Sequence, residues 1–144
     1  MHSPINKIQR DNVGVLVDTG HAYCAGENIA ESISLCKLAG DKLYNVHVND
    51  NYKSWDDDMM VGSVHPFEML EFLYWLEKLD YKGPIVLDIF PYREDPLGAA
   101  SESIEFIKSL REIIRNIDES KIKEIFETQD AVASVRMLRK LLLG

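Results

Sequence analysis

Three short, largely apolar segments constrain the fold of this chain more than any other feature. They occupy residues 13–17, 43–48 and 84–87, and polar residues follow each of them at once. Apolar runs of this length, rich in valine, leucine and isoleucine, are typical of strands buried on both faces, as in a parallel sheet. The segments between them show the apolar spacing of helices, which indicates repeated βα units. We therefore predict an α/β fold with three parallel strands.

The helices predicted between and after these strands define the organisation of the chain. Helical spacing of apolar residues covers residues 27–38, 66–79 and 104–117, and two further helices are expected in residues 118–144. We predict that residues 1–117 form the βα units of a partial barrel. Residues 118–144 are then a helical extension packed on these units.

Three parallel strands are too few to form a complete domain of this kind. A whole barrel of eight βα units takes about 250 residues, and this chain has 144. The sheet would keep open edges, and one of its faces would meet water. We therefore expect a partial barrel that forms a homo-oligomer, most simply a dimer, or that binds a partner chain supplying the missing barrel half.

Polar groups follow the predicted strands at the same end of the sheet. Asp18 follows the first strand, His47 lies at the end of the second and Asp88 follows the third. Because neighbouring parallel strands are about 4.8 Å apart, their ends bring such groups within reach of one ion. Two carboxylates and an imidazole suit Mn²⁺, Co²⁺, Zn²⁺ or Mg²⁺. Alternatively, each aspartate caps the following helix or turn, and His47 is a hydrogen-bonded core histidine.

Four further residues are candidates for substrate binding. His21 follows Asp18 by three residues in a predicted loop, and we favour substrate contact over metal ligation for it. Asp50 either orients a ligand or binds a substrate hydroxyl, or it forms a turn with its asparagine neighbours. Asp58 ends an acidic run that is either a solvated face or part of a loop folded over the site. Arg93 either clamps an anionic group or forms an exposed salt bridge.

Charge and composition exclude several functions and suggest a location. The net charge is −8 and the pI is about 4.9, which argues against binding to nucleic acid or to a membrane surface. No apolar run approaches the roughly 18 residues of a membrane span. Residues 1–10 lack the apolar core of a signal peptide, and the two cysteines do not form a disulfide framework. We therefore expect a cytoplasmic protein.

The chain resembles the xylose isomerase-like TIM-barrel superfamily of sugar isomerases and epimerases, specifically its last three βα units. The matching segments are residues 12–21, 25–28, 46–50, 56–62 and 83–95. The resemblance implies that Asp18, His47 and Asp88 bind a divalent metal and that His21 contacts the sugar. It also implies aldose–ketose isomerisation or epimerisation of a free sugar through an enediolate, with Asp88 and His21 as the catalytic residues.

Two departures from the family pattern bear on activity. The family usually has Glu at the position of Asp88, and its fourth ligand, a Glu, comes from an earlier strand without a counterpart here. We therefore expect a truncated or incomplete enzyme that shows little or no isomerase turnover alone. The first alternative is a non-catalytic βα scaffold that serves oligomerisation. A less favoured one is a metal-dependent phosphoesterase similar to AP endonucleases, whose loop carries Asp-x-His where this chain has Asp56 and Asp58.

Overall fold

The computed structural model describes residues 10–144. The expectation about a signal peptide concerns residues 1–10 and so falls almost wholly outside this part. In chain order the elements are β1 (Val15–Asp18), α1 (Thr19–Cys24), α2 (Ile29–Leu38), β2 (Leu43–Val48), α3 (Pro66–Lys78), β3 (Ile85–Leu87), α4 (Pro96–Arg115), α5 (Glu119–Thr128) and α6 (Ala131–Leu143).

The three strands form one parallel sheet in the order β1-β2-β3. In the register, Asp18 lies opposite His47, and His47 lies opposite Val86. The prediction of three parallel strands is confirmed, and so is the partial barrel, since the sheet of the described residues is open rather than closed.

The core lies between one face of the sheet and the helices that follow each strand. Val17, Val46 and Val48 point to this face and pack with apolar side chains of α2, α3 and α4. The opposite face is open, because Leu16 and Val86, which alternate with the core positions, are 46% and 38% exposed. The expectation that one face of the sheet meets water is therefore confirmed for the described residues, although the strand sequences are typical of burial on both faces. The helices of consecutive βα units cover only one side of the sheet.

Helix α1 is the main departure from the predicted elements. It occupies Thr19–Cys24, so His21 lies on a short helix rather than in a loop. The next helix begins at Ile29 rather than at residue 27, because Asn28 caps it and accepts a hydrogen bond from the Glu31 amide at 2.8 Å. Helix α3 begins at Pro66 as predicted.

The two helices predicted in the tail are present as α5 and α6. Tyr74 of α3 donates a hydrogen bond to Glu119 at 3.2 Å, and Leu138 and Leu142 pack against the core. The boundary between residues 117 and 118 stays a prediction. Within residues 10–144, no helix combines the length and the apolar character needed to cross a membrane.

Candidate metal centre

Asp18, His47 and Asp88 meet at the carboxyl end of the sheet. One ligand atom of each lies within 4.8 Å of the others. His47 Nδ1 is 2.8 Å from Asp88 Oδ2 and 3.6 Å from Asp18 Oδ2. Two carboxylate oxygens and an imidazole nitrogen at this spacing are a donor set that suits Zn²⁺, Mn²⁺ or Co²⁺. The structure brings the three residues together as the sequence predicts, and their binding of a metal stays a prediction.

Asp18 uses its two carboxylate oxygens in different ways. Oδ1 accepts a hydrogen bond from the His21 amide at 3.1 Å, which caps α1, while Oδ2 faces His47. The carboxylate is almost fully buried at the junction between strand and helix. The cap and the candidate ligand are therefore the same residue, and the two interpretations of Asp18 are compatible.

The neighbours of His47 bear on which of its two ring nitrogens carries the proton. The side-chain amide nitrogen of Asn45 lies 3.4 Å from Nε2, and in the neutral tautomer in which Nε2 accepts this hydrogen bond the ring proton is on Nδ1. Nδ1 then donates to Asp88. A cation that binds Nδ1 must displace this proton, which makes metal binding release protons.

The acidic loop between β2 and α3 folds back toward the centre. Asp56 Oδ2 lies 3.2 Å from His21 Nε2, and Asp58 accepts a hydrogen bond from the Asn49 side chain at 3.1 Å. Burial is the main cause that raises the pKa of the Asp58 carboxyl, and the charges of Asp56, Asp88 and Asp18 add to it. Of the two interpretations of this run, the folded loop describes the geometry.

The remaining candidates lie apart from the three ligand atoms. Asp50 is fully buried and its carboxylate accepts hydrogen bonds from the loop itself. Arg93 is exposed, its amide donates to Glu94 at 3.1 Å, and its guanidinium forms no ion pair within residues 10–144. The substrate contacts of His21, Asp50, Asp58 and Arg93 stay predictions.

Sequence reasoning missed the buried amide that connects the loop to the strands. Asn49 is fully buried, and its side-chain nitrogen lies 3.5 Å from Asp18 Oδ1 and 3.1 Å from Asp58 Oδ1. Thr19 Oγ1 donates to the Asn49 carbonyl at 2.8 Å. A Cβ atom at Gly20 would collide with Asn49 Oδ1 and Asp56 Oδ1, so only glycine allows this approach. The available signal was the polar run directly after β2, which also fits an ordinary turn.

Comparison with known proteins identifies the family. The sequence profile described as xylose isomerase-like TIM barrel matches residues 2–110. The chain belongs to the xylose isomerase-like TIM-barrel family. It is also similar to a solved structure of a D-tagatose 3-epimerase-like protein, with 28% identity and a TM-score of 0.63 over 77% of this chain. The chain spans 40% of that protein's length. No curated protein matches it.

Family membership agrees with the position of the candidate centre. In barrels of this kind the functional groups lie at the carboxyl ends of the strands, and the three candidate ligands occupy that end of the sheet. The xylose isomerase-like barrel thus confirms the resemblance inferred from the sequence.

Proposed function

We propose that this chain carries the metal-binding end of a sugar isomerase or epimerase, which interconverts sugars through an enediolate. The observation that carries the proposal is the cluster of Asp18, His47 and Asp88 at three neighbouring strand ends of a xylose isomerase-like barrel. Similarity to a D-tagatose 3-epimerase-like protein supports it. A divalent cation in the cluster, Mn²⁺, Co²⁺, Zn²⁺ or Mg²⁺, would polarise the sugar carbonyl and offset the enediolate charge.

Exposure assigns different tasks to the residues of the site. The side chain of Asp18 is 8% exposed and that of Asp88 is 53% exposed, so Asp88 is the carboxylate that reaches a substrate carbon. Asp88 holds or moves the proton in the reaction as well as facing the metal. The His21 side chain is 75% exposed and offers its ring to a sugar hydroxyl.

The charge around the centre favours an unphosphorylated sugar. Asp56, Asp57 and Asp58 lie on the loop beside the two carboxylates of the cluster. A phosphate would be repelled by these groups, whereas sugar hydroxyls can donate hydrogen bonds to them. Arg93 is exposed and free to contact a substrate only at the edge of the site. Asp50 can contact substrate only after the loop opens, because it is buried.

The proposal includes a partner that covers β1. Within the described residues β1 pairs only with β2, and Leu16 and Leu35, which line one groove at this edge, are 46% and 56% exposed. We propose that a second copy of the chain, or a partner chain, packs against this edge and adds the missing carboxylate ligand. Until it does, we expect little sugar turnover from the chain alone, because losing one acid–base group costs about 10²- to 10⁴-fold.

Calorimetry with Mn²⁺ tests the centre. We expect weak binding to the wild-type protein and at least tenfold weaker binding to His47→Ala, since the imidazole is one of the three donors. His21→Ala is the matched control, because it removes a histidine outside the cluster and is expected to keep its Mn²⁺ affinity. Equal binding by wild type and His47→Ala would place the metal elsewhere and would contradict the proposal.

A second measurement addresses the substrate. Bound Mn²⁺ accelerates the relaxation of nearby sugar protons, so the protons of fructose report its proximity to the centre. We expect this acceleration for fructose with the wild-type protein and not with His47→Ala. His21→Ala is expected to weaken it without loss of the metal. A stronger effect with fructose 6-phosphate, at equal Mn²⁺ occupancy, would argue against a free-sugar substrate.

A further inference from the structure

The loop between β2 and α3 is closed by one buried carboxylate. Asp50 Oδ2 accepts hydrogen bonds from the amides of Val64 at 2.8 Å and His65 at 2.9 Å. Asp50 Oδ1 lies 2.7 Å from His65 Nδ1 and accepts from the Asn51 amide at 2.9 Å. Asp50, the second residue of the loop, thus binds its last two residues. Hydrogen bonds to an ionised, buried acceptor are stronger than neutral ones.

His65 extends this clamp to helix α1. Its ring stacks on Tyr23 with centroids 4.3 Å apart, and Tyr23 follows His21 by two residues on the same helix. His65 is the N-cap residue of α3, but its side chain forms no capping hydrogen bond. Its imidazole contacts Asp50 instead. The clamp of Asp50, His65 and Tyr23 therefore joins the loop to the helix that carries a candidate substrate contact.

The clamped loop carries the acids that face the candidate centre. Met59 and Asp50 exchange backbone hydrogen bonds at 2.8 and 3.1 Å, which fixes the middle of the loop against its start. Asp58 directly precedes this bridge, and Asp56 contacts His21. Asp58 has a positive φ of 46°, a conformation that needs support from its surroundings.

We infer that Asp50 is a positioning residue, whose carboxylate keeps the loop of residues 51–64 closed and thereby holds Asp56 and Asp58 beside the metal centre. The inference rests on the proposed function for the centre itself, but the clamp is a property of the protein without metal. Asp50 touches neither the cluster nor the open side of the sheet, and it acts through the loop.

Hydrogen exchange and Mn²⁺ calorimetry on Asp50→Asn test the inference. The asparagine keeps the shape but presents an amide nitrogen to donors that need an acceptor. We expect exchange at the Val64 and His65 amides to become at least about tenfold faster, and Mn²⁺ affinity to fall about tenfold. His65→Phe keeps the stacking on Tyr23 but loses the bond to Asp50, and it is used if Asp50→Asn does not fold.

Leu110→Ala is the matched control, because it destabilises the core on α4 and leaves the hydrogen-bonding groups of the Asp50 clamp in place. We expect it to leave both loop exchange and Mn²⁺ affinity unchanged at temperatures where it is folded. Unchanged loop exchange in Asp50→Asn would overturn the clamp. Faster exchange with unchanged Mn²⁺ affinity would overturn the positioning role.

Failure of the proposed function is distinguishable from failure of the clamp. If the wild-type protein binds no Mn²⁺, the proposed function fails. The positioning role is then decided without metal by the NMR shifts of Asp56, Asp58 and His21. We expect these chemical shifts to change in Asp50→Asn and to remain unchanged in Leu110→Ala. Any other result overturns the inference.

Discussion

Asp58 is a carboxylate held where its surroundings disfavour its charge. Burial raises its pKa first, and Asp56, Asp88 and Asp18 raise it further, whereas the hydrogen bond from Asn49 lowers it. Its φ of 46° adds backbone strain. A chain selected for stability alone has no reason to keep an acid here. The arrangement is understandable if the acid serves a cation or a substrate at the neighbouring cluster.

We expect Asp58→Asn to raise the melting temperature of the metal-free protein at neutral pH. The folded-state pKa of Asp58 lies above its ordinary value of 3.8, so ionisation is penalised in the folded state. The penalty is absent below pH 3.8 and complete above the raised pKa. The difference in melting temperature between Asp58→Asn and the wild type should therefore vanish as the pH falls below 3.8. Thermal melts of both proteins at neutral pH and below pH 3.8 measure it. A lower melting temperature at neutral pH would contradict this reasoning.

Among the elements, the strands were predictable and helix α1 was not. Short valine-rich segments at regular spacing indicate parallel strands whatever the rest of the chain does. Helix α1 has only six residues and includes Gly20, so no apolar periodicity marks it. It forms because Asp18 caps it and Thr19 binds Asn49, which is 30 residues away. Contacts of that separation leave no local pattern in a sequence.

The site was predictable to the same extent as the strands. Asp18, His47 and Asp88 were identified because parallel strands end together, which is a rule of topology. The inward fold of the loop depends on Asp50 meeting His65, 15 residues later. From the sequence, the polar run after β2 and the histidine before Pro66 each have an ordinary local explanation. Only the structure shows that they bind each other.

Helices α5 and α6 form the most weakly anchored part of the fold. Ile122 is the only buried residue of α5, and no residue of α6, which lies wholly within the described part of the chain, is buried. A cavity of about 250 Å³ separates these helices from α3, and its lining includes Ile122, Tyr74 and Leu138. Removal of one apolar anchor here should have a measurable effect.

We expect Ile122→Ala to lower the free energy of unfolding by about 2 kcal/mol, because it removes a buried side chain and enlarges an existing cavity. Phe126→Ala, one turn later on the same helix, is the matched control. Phe126 is 61% exposed, so its loss should change stability by no more than about 0.5 kcal/mol. Urea unfolding of both variants gives the comparison. Equal losses would mean that α5 packs differently.

At the scale of the whole molecule, the sheet has more apolar surface than its own helices cover. Leu16 and Val86 lie on its open face, and Leu35 lies on α2, where it lines one groove with residues of β1. Exposed strand edges and apolar patches together promote pairing between chains. The chain as described therefore favours association through this side.

We expect light scattering across a concentration series to show a dimer of the 16.5 kDa chain. Leu35→Ser should shift the protein toward the monomer, because Leu35 is 56% exposed and lines one groove with β1. Leu97→Ser is the matched control, since Leu97 is 80% exposed at the start of α4. A protein that stays monomeric at every concentration would refute the expectation. Equal effects of the two substitutions would exclude the β1 side as the interface.

The strand order β1-β2-β3 also bears on how the chain is made. Each strand pairs with the strand that precedes it in the sequence, so a chain leaving the ribosome can add every new βα unit to a sheet that is already in place. Val17, Val46 and Ile33 can come together before β3 has been synthesised. Synthesis and assembly of the described strands then proceed in the same direction, and β1 is the template against which the two later strands are added.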